Sequence, residues 1–196
     1  MKLFELNQQQ ENHDSEVSTS RRRILQLGLG AAASLAMPNA FASILTEPER
    51  KLSLLNLHTG ESLKATYWAE GQYQLSELHA INHVLRDHRT GDIHEMDSNL
   101  INMLNILHHK MDGKHAFNVI SGYRSPKSNA LLNKTTSGVA KKSLHMQGKA
   151  IDIRLPGRDL SALRKAALDL QTGGVGYYSK SDFIHVDTGR VRQWGA

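Results

Sequence analysis

The chain has 196 residues, 39% hydrophobic and 22% charged, which suits one globular domain of roughly 150 residues and leaves no length for a second. It contains no cysteine, which excludes a disulfide framework and a thiolate metal site, so any metal must be held by His, Asp or Glu. The net charge of +5 belongs wholly to residues 43 to 196, because the first 42 hold four basic and four acidic side chains; such an excess favours an anionic partner without choosing among peptidoglycan, nucleic acid and anionic lipid.

Residues 1 to 19 are polar and lead into Ser20-Arg21-Arg22-Arg23-Ile24-Leu25-Gln26, then an apolar run from Leu27 to Met37 broken only by Gly and Ser, then Ala40-Phe41-Ala42. A basic region, a short apolar region and a small-x-small site form a signal peptide, residues 1 to 42, with cleavage after Ala42. The run falls short of the ~20 residues that span a bilayer, so no stable membrane insertion is expected after cleavage. The arginine pair before a weakly hydrophobic, Gly- and Ala-rich segment predicts export by the twin-arginine machinery to the periplasm.

Along residues 43 to 196 the predicted elements follow in order. Arg50 to Leu57 and Ser62 to Trp68 read as a hairpin turning at His58-Thr59-Gly60-Glu61. Leu75, Leu78, Ile81, Val84 and Leu85 recur at helical spacing between Gln72 and Arg89. Asp97 or Ser98 can cap a second helix with the stripe Leu100, Leu104, Leu107 and Met111, stopped by Gly113. Ala116 to Ser121 reads as a strand that breaks into a loop at Gly122-Tyr123-Arg124-Ser125-Pro126. Ala150 to Leu155 reads as a strand, Asp159 to Leu170 as a helix with Leu160, Leu163, Ala167 and Leu170 inward, and Phe183 to Asp187 as a strand, with Gly173-Gly174-Val175-Gly176 as a turn between them. With no repeat and no interdomain linker, this predicts a single α+β domain with a small, largely antiparallel sheet and helices packed against it.

The chemistry concentrates in Ser143-Leu144-His145-Met146-Gln147-Gly148-Lys149-Ala150-Ile151-Asp152 and Phe183-Ile184-His185-Val186-Asp187. Two imidazoles and a carboxylate, His145, Asp152 and His185, suit Zn²⁺ and leave a fourth position open for water, the arrangement of a catalytic site. Single histidines carry little weight, and those at 79, 83, 88, 108 and 109 fall on predicted helices, where a surface or core role is the default. His145 and Asp152 differ by bracketing a glycine at the entry to a strand, and His185 by lying in a short apolar strand beside Asp182 and Asp187. The bland alternative makes Asp152 a hydrogen-bonded strand carboxylate and His185 a core histidine.

Ile120-Ser121-Gly122-Tyr123-Arg124-Ser125, Ser143-x-His145-x-x-Gly148-x-Ala150-x-Asp152, Gly174-Val175-Gly176-Tyr177-Tyr178 and His185-Val186-Asp187 together resemble the M15 family of zinc peptidases. Within it the resemblance is nearest to the twin-arginine-exported murein endopeptidase K branch, which Leu57-His58-Thr59-Gly60-Glu61 also resembles, and it covers essentially all of residues 43 to 196. It implies a Hedgehog/DD-peptidase-like fold, zinc on His145, Asp152 and His185, and Arg124 on the substrate side, where a guanidinium can bind a carboxylate or an oxyanion. The alternative for Arg124 is a salt bridge that staples its loop.

Several branches of the family carry an acid three positions before the last zinc histidine, the position of Asp182 here, which makes Asp182 one candidate general base. Asp187 is the other: two residues from His185 on a strand, it shares that histidine's face and could accept a proton or orient the imidazole. The Lys141-Lys142 pair reads as solvated surface charge.

The resemblance implies hydrolysis of peptide cross-links in peptidoglycan, including those joining two diaminopimelate residues, with stem peptides as substrate. Carboxypeptidases and dipeptidases of the same family, or a non-catalytic peptidoglycan-binding module, are the alternatives. A nucleic-acid partner is not expected, because only 6% of residues are aromatic and they form no stacking platform.

Overall fold

Strands β1 (Glu49–Asn56) and β2 (Ser62–Ala69) pair antiparallel as the expected hairpin, and β3 (Gln72–Tyr73) extends it by a short antiparallel edge. The turn is held from inside: the buried Asn56 accepts the amides of His58 and Thr59 and donates to the carbonyl of Val84. The computed structural model describes residues 47–136 and 139–195, so the expected signal peptide, residues 1 to 42, lies outside the described residues.

Helix α1 (Leu75–Val84) is shorter than its apolar stripe predicts. Gln72 and Tyr73 are drawn into pairing with β2 and Gln74 makes no side-chain cap, so the helix starts late and Leu75 is left 69% exposed. Helix α2 (Ser98–Lys110) begins at the predicted cap, where the Asp97 carboxylate accepts the Asn99 amide, and it buries Leu100, Leu104 and Leu107 completely. Each such leucine contributes about 1.5–3 kcal/mol of transfer free energy, which makes this helix the centre of the core.

The expected loop spans Gly122 to Ser125, and the chain then enters helix α3 (Pro126–Thr135), which was not expected. The Ser125 side chain accepts the Ser128 amide and Pro126 sits at the first helical position, a start signal that periodicity does not disclose because Leu131 points to solvent. Helix α4 (Leu160–Leu170) is capped by Asp159 and turns Leu163, Ala167 and Leu170 into the core, with Leu160 partly buried against it.

One mixed sheet of eight strands runs in the order β3-β2-β1-β4-β5-β7-β6-β8, where β4 is Phe117–Ser121, β5 Ala150–Arg154, β6 Gly174–Tyr178, β7 Phe183–Asp187 and β8 Arg192–Trp194. Two pairs, β1 with β4 and β6 with β8, are parallel; the others are antiparallel, as expected. Gly174 to Gly176 belongs to strand β6 and is not a turn. Its glycines look like turn residues in the sequence, but they are there to clear one face of the sheet, as the site makes evident.

Alternation sorts the residues of β5, β6 and β7 onto two faces. Ile151, Ile153, Val175, Ile184 and Val186 enter the hydrophobic core with α2 and α4, while Asp152, His185, Asp187, Gly174 and Gly176 fall on the opposite face. The candidate residues of β5 and β7 therefore stand on a sheet backed by the core.

Candidate active site

Asp152 and His185 are direct cross-strand partners on β5 and β7, so their side chains rise from one face side by side. His145 joins them from a 3₁₀ turn, Leu144–Gln147, that Ser143 caps and Gly148 ends with φ 65° in the left-handed region. This turn is anchored at several points. Asp97, at the start of α2, donates its amide to Gly148 O and accepts from the Thr188 hydroxyl, while the Arg124 amide donates to His145 O.

The three donor atoms converge. His185 Nδ1 lies 2.8 Å from Asp152 Oδ1 and 3.2 Å from His145 Nε2, which is itself 3.3 Å from the same carboxylate oxygen. The outer nitrogen of each imidazole is engaged elsewhere. His145 Nδ1 is 2.8 Å from Gly122 O, a pure acceptor, so this nitrogen carries the proton and Nε2 keeps its lone pair for the site. His185 Nε2 is 3.0 Å from Asp187 Oδ2, an acceptor that can keep the proton on this nitrogen when Nδ1 coordinates a cation.

Such a cluster of lone pairs is stable only around positive charge. Burial disfavours an imidazolium at His185, but hydrogen bonds to Asp152 and Asp187 outweigh it and hold the pKa up at about 9. Burial likewise disfavours the Asp152 carboxylate, and the neighbouring His145 and His185 more than offset this and hold its pKa well below the usual range. Two imidazoles and a carboxylate, each nearly buried, with both tautomers set from behind, fit a zinc ion in type, number and orientation. Among the described residues no other group of three or more His, Asp or Glu could hold a metal. Four other histidine and tyrosine rings pair away from it, in the His58–His88 stack at 3.8 Å and the His94–Tyr123 stack at 4.7 Å.

The two candidate bases occupy very different surroundings. Asp187 is fully buried behind His185, and both its oxygens are occupied: Oδ1 accepts from the amides of Gly174 and Gly189 and from Arg192 Nη1, and Oδ2 from Arg192 Nη2 at 2.6 Å and from His185. Burial works against its charge, yet these donors keep its pKa well below the normal carboxylate range. Asp182 is exposed at the head of β7, where its carboxylate pairs with Arg154 at 2.8 Å, and it is not part of the cleft wall.

Arg124 is buried beside the cluster, with Nη2 3.7 Å from Asp152 Oδ2 and 3.3 Å from Ser121 Oγ. Burial lowers its pKa, and its Nε has no hydrogen-bond partner, so this guanidinium is not the saturated staple of a surface salt bridge. The cluster opens into a cleft of about 620 Å³ whose walls include Arg124, Leu144, Tyr178, Phe183 and Trp194. Lys142 is exposed as expected, but it too lies on the cleft wall rather than on open surface.

The second wall escaped sequence reasoning. Strand β8 runs parallel to β6 with Arg192 opposite Gly174 and Trp194 opposite Gly176. A Cβ on Gly176 would stand 2.6 Å from the Trp194 indole, and one on Gly174 would collide with the Arg192 guanidinium. The two glycines are thus the space through which Arg192 reaches Asp187 and Trp194 reaches His185, whose ring is 5.2 Å away. Glycines at alternate strand positions, aligned with an alternating Arg-x-Trp, were the available signal.

Comparison with known proteins gives the family. The sequence model of a family described as Peptidase_M15_2, peptidoglycan L,D-endopeptidase MepK, matches residues 45–194. The peptidoglycan L,D-endopeptidase MepK of Escherichia coli K12 is 43% identical over 176 residues, covering 89% of this chain and 97% of that protein, and the Shigella flexneri protein of the same name matches equally. A probable peptidoglycan L,D-endopeptidase MepK of Haemophilus influenzae is 38% identical over 180 residues, 91% of this chain and 97% of the relative.

Proposed function

The chain belongs to the peptidoglycan L,D-endopeptidase family of M15 peptidases, and from that premise we propose that it hydrolyses peptide cross-links between peptidoglycan stem peptides with a zinc ion held by His145, Asp152 and His185. It is a peptidase of the cell wall and acts outside the cytoplasm, where its substrate lies. The observation that carries the metal reading is the convergence of His185 Nδ1, His145 Nε2 and Asp152 Oδ1 within 3.3 Å of one another, with Gly122 O and Asp187 Oδ2 behind the imidazoles as acceptors for their outer N–H groups. Zinc held by these three residues would supply an activated water at neutral pH and polarise the scissile carbonyl.

The chain's own residues supply the rest. Arg124 lines the cleft beside Asp152, and its guanidinium binds a substrate carboxylate or the oxygen of the attacked carbonyl. Asp187 orients His185 and does not itself meet substrate, since it lies behind the imidazole with both oxygens occupied. Asp182 would act as a base only after releasing Arg154. The finer assignments are a bond between two diaminopimelate residues as the one cut, residues 43 to 196 as the exported domain, and twin-arginine export to the periplasm.

Incubating the purified protein with cross-linked peptidoglycan fragments, with and without chelator, tests the reading by mass spectrometry. Cross-linked dimers should fall to monomers through hydrolysis of the bond joining the two diaminopimelates, the reaction should stop with chelator, and zinc should restore it. Release of a single terminal amino acid would make the protein a carboxypeptidase instead, and cleavage indifferent to chelator would remove the metal from the mechanism.

A further inference from the structure

Neither acidic residue beside His185 presents a free group to the cleft, but the Tyr178 side chain lies on the cleft wall. It lies on β6 opposite Phe183 of β7, on the sheet face that carries His185, and it lines the cleft. Its ring stacks on Phe183, with centroids 4.6 Å apart and planes 20° from parallel, so the ring is fixed on one side. Its phenol oxygen accepts the Trp194 indole N–H at 2.9 Å.

That last contact determines what the phenol can do. Indole N–H is a donor only, so the tyrosine oxygen must be the acceptor, and its own O–H is left to point elsewhere. No acceptor for it is seen among the described residues. Trp194 is itself fixed: its ring lies 5.2 Å from the His185 ring, the Arg192 guanidinium covers it at 4.9 Å, and Gly176 provides the space it fills. The phenol therefore holds an O–H without an acceptor on the wall of the cleft that His185 also lines, with its oxygen fixed by Trp194. Arg124 lines the same cleft from the β4 side.

We propose that Tyr178 is a catalytic residue whose phenol O–H, oriented by Trp194, donates a hydrogen bond to the oxyanion that develops when the scissile carbonyl is attacked, with Trp194 as its positioning residue. No proton changes hands in this role. The bond strengthens as the carbonyl oxygen gains charge, so it acts on the transition state more than on bound substrate. The inference rests on the endopeptidase reading above.

The test is steady-state kinetics of the zinc-loaded enzyme on a purified cross-linked muropeptide, comparing Tyr178→Phe and Trp194→Phe with the wild type, with zinc content and thermal midpoint measured on each. Removal of the hydroxyl in Tyr178→Phe should lower kcat by about 10² to 10³ fold, the scale of losing one oxyanion donor, with KM and zinc content unchanged. Trp194→Phe retains the phenol but frees its rotation, so a smaller fall in kcat is expected. A phosphinic analogue of the cross-link, tetrahedral where the carbonyl carbon stands, should bind Tyr178→Phe more weakly by the same factor that kcat/KM falls.

Near wild-type kcat in Tyr178→Phe overturns the proposal. So does a loss that appears in KM or zinc content instead, or a Trp194→Phe variant as impaired as Tyr178→Phe, since each makes the pair a packing unit. If the wild type leaves the muropeptide intact, the endopeptidase reading fails first and takes this inference with it.

Discussion

An imidazole offers a metal only the nitrogen that carries no proton, so the partner of each histidine's far nitrogen decides which end can coordinate. His145 is set by a backbone carbonyl, which no side-chain substitution removes, whereas His185 is set by Asp187, which one can. Asp187→Asn keeps the volume but loses the charge, and its amide can face His185 with the wrong end. We expect zinc affinity to fall about 10 to 100 fold together with activity, measured by competition with a chromogenic chelator. Asp182→Asn should remain zinc-loaded and keep most of its turnover, because the wild-type carboxylate is exposed and paired with Arg154. If Asp182→Asn is instead fully zinc-loaded and inactive, Asp182 is the general base and Arg154 must release it during catalysis.

At the scale of elements, the site depends on two strands that contribute space and side chains in turn. Strand β6 leaves the sheet face empty at Gly174 and Gly176, and β8 fills it with Arg192 and Trp194. Gly176→Ala should therefore expel the indole without touching any metal ligand. The added methyl is expected to cost about 1–3 kcal/mol of stability through overpacking, read from denaturant unfolding. In a Trp68→Phe background, where Trp194 is the remaining tryptophan, its fluorescence should shift to the red as the ring gains water, while zinc stays bound. An unshifted spectrum with unchanged stability would mean that the sheet accommodates the methyl and that Gly176 is not what seats Trp194.

On the scale of the whole molecule, the basic excess is carried by residues 43 to 196, and peptidoglycan presents free carboxylates to it. No helix among the described residues is long and apolar enough to cross a membrane. The proposed export route rests on the first 42 residues, read as a signal peptide, and on the Arg21-Arg22 pair within them. Replacing both by Lys should leave the precursor in the cytoplasm, as followed by cell fractionation and immunoblotting. Normal accumulation outside the cytoplasm would rule out the twin-arginine route while leaving the enzyme's chemistry as described.

The sequence by itself determined what neighbours in the chain decide. His145, Asp152 and His185 were legible because a glycine-ended turn entering a strand and a strand of strict alternation each orient their side chains locally. The β1–β2 hairpin and the Asp97-capped α2 were legible for the same reason, since turn chemistry, capping and periodicity act within a few residues. Asp187 was correctly expected on the face of His185, but its two roles could not be separated, because what occupies its oxygens comes from β6, β8 and the turn after β7. The same holds for Asp182, whose pairing with Arg154 depends on β5 lying beside β7, and for Tyr178, whose partner Trp194 is 16 residues away on a parallel strand. Strand order and register join residues with no local pattern in common, so only the tertiary structure could decide which of the polar groups around His185 are occupied and which remain free to act.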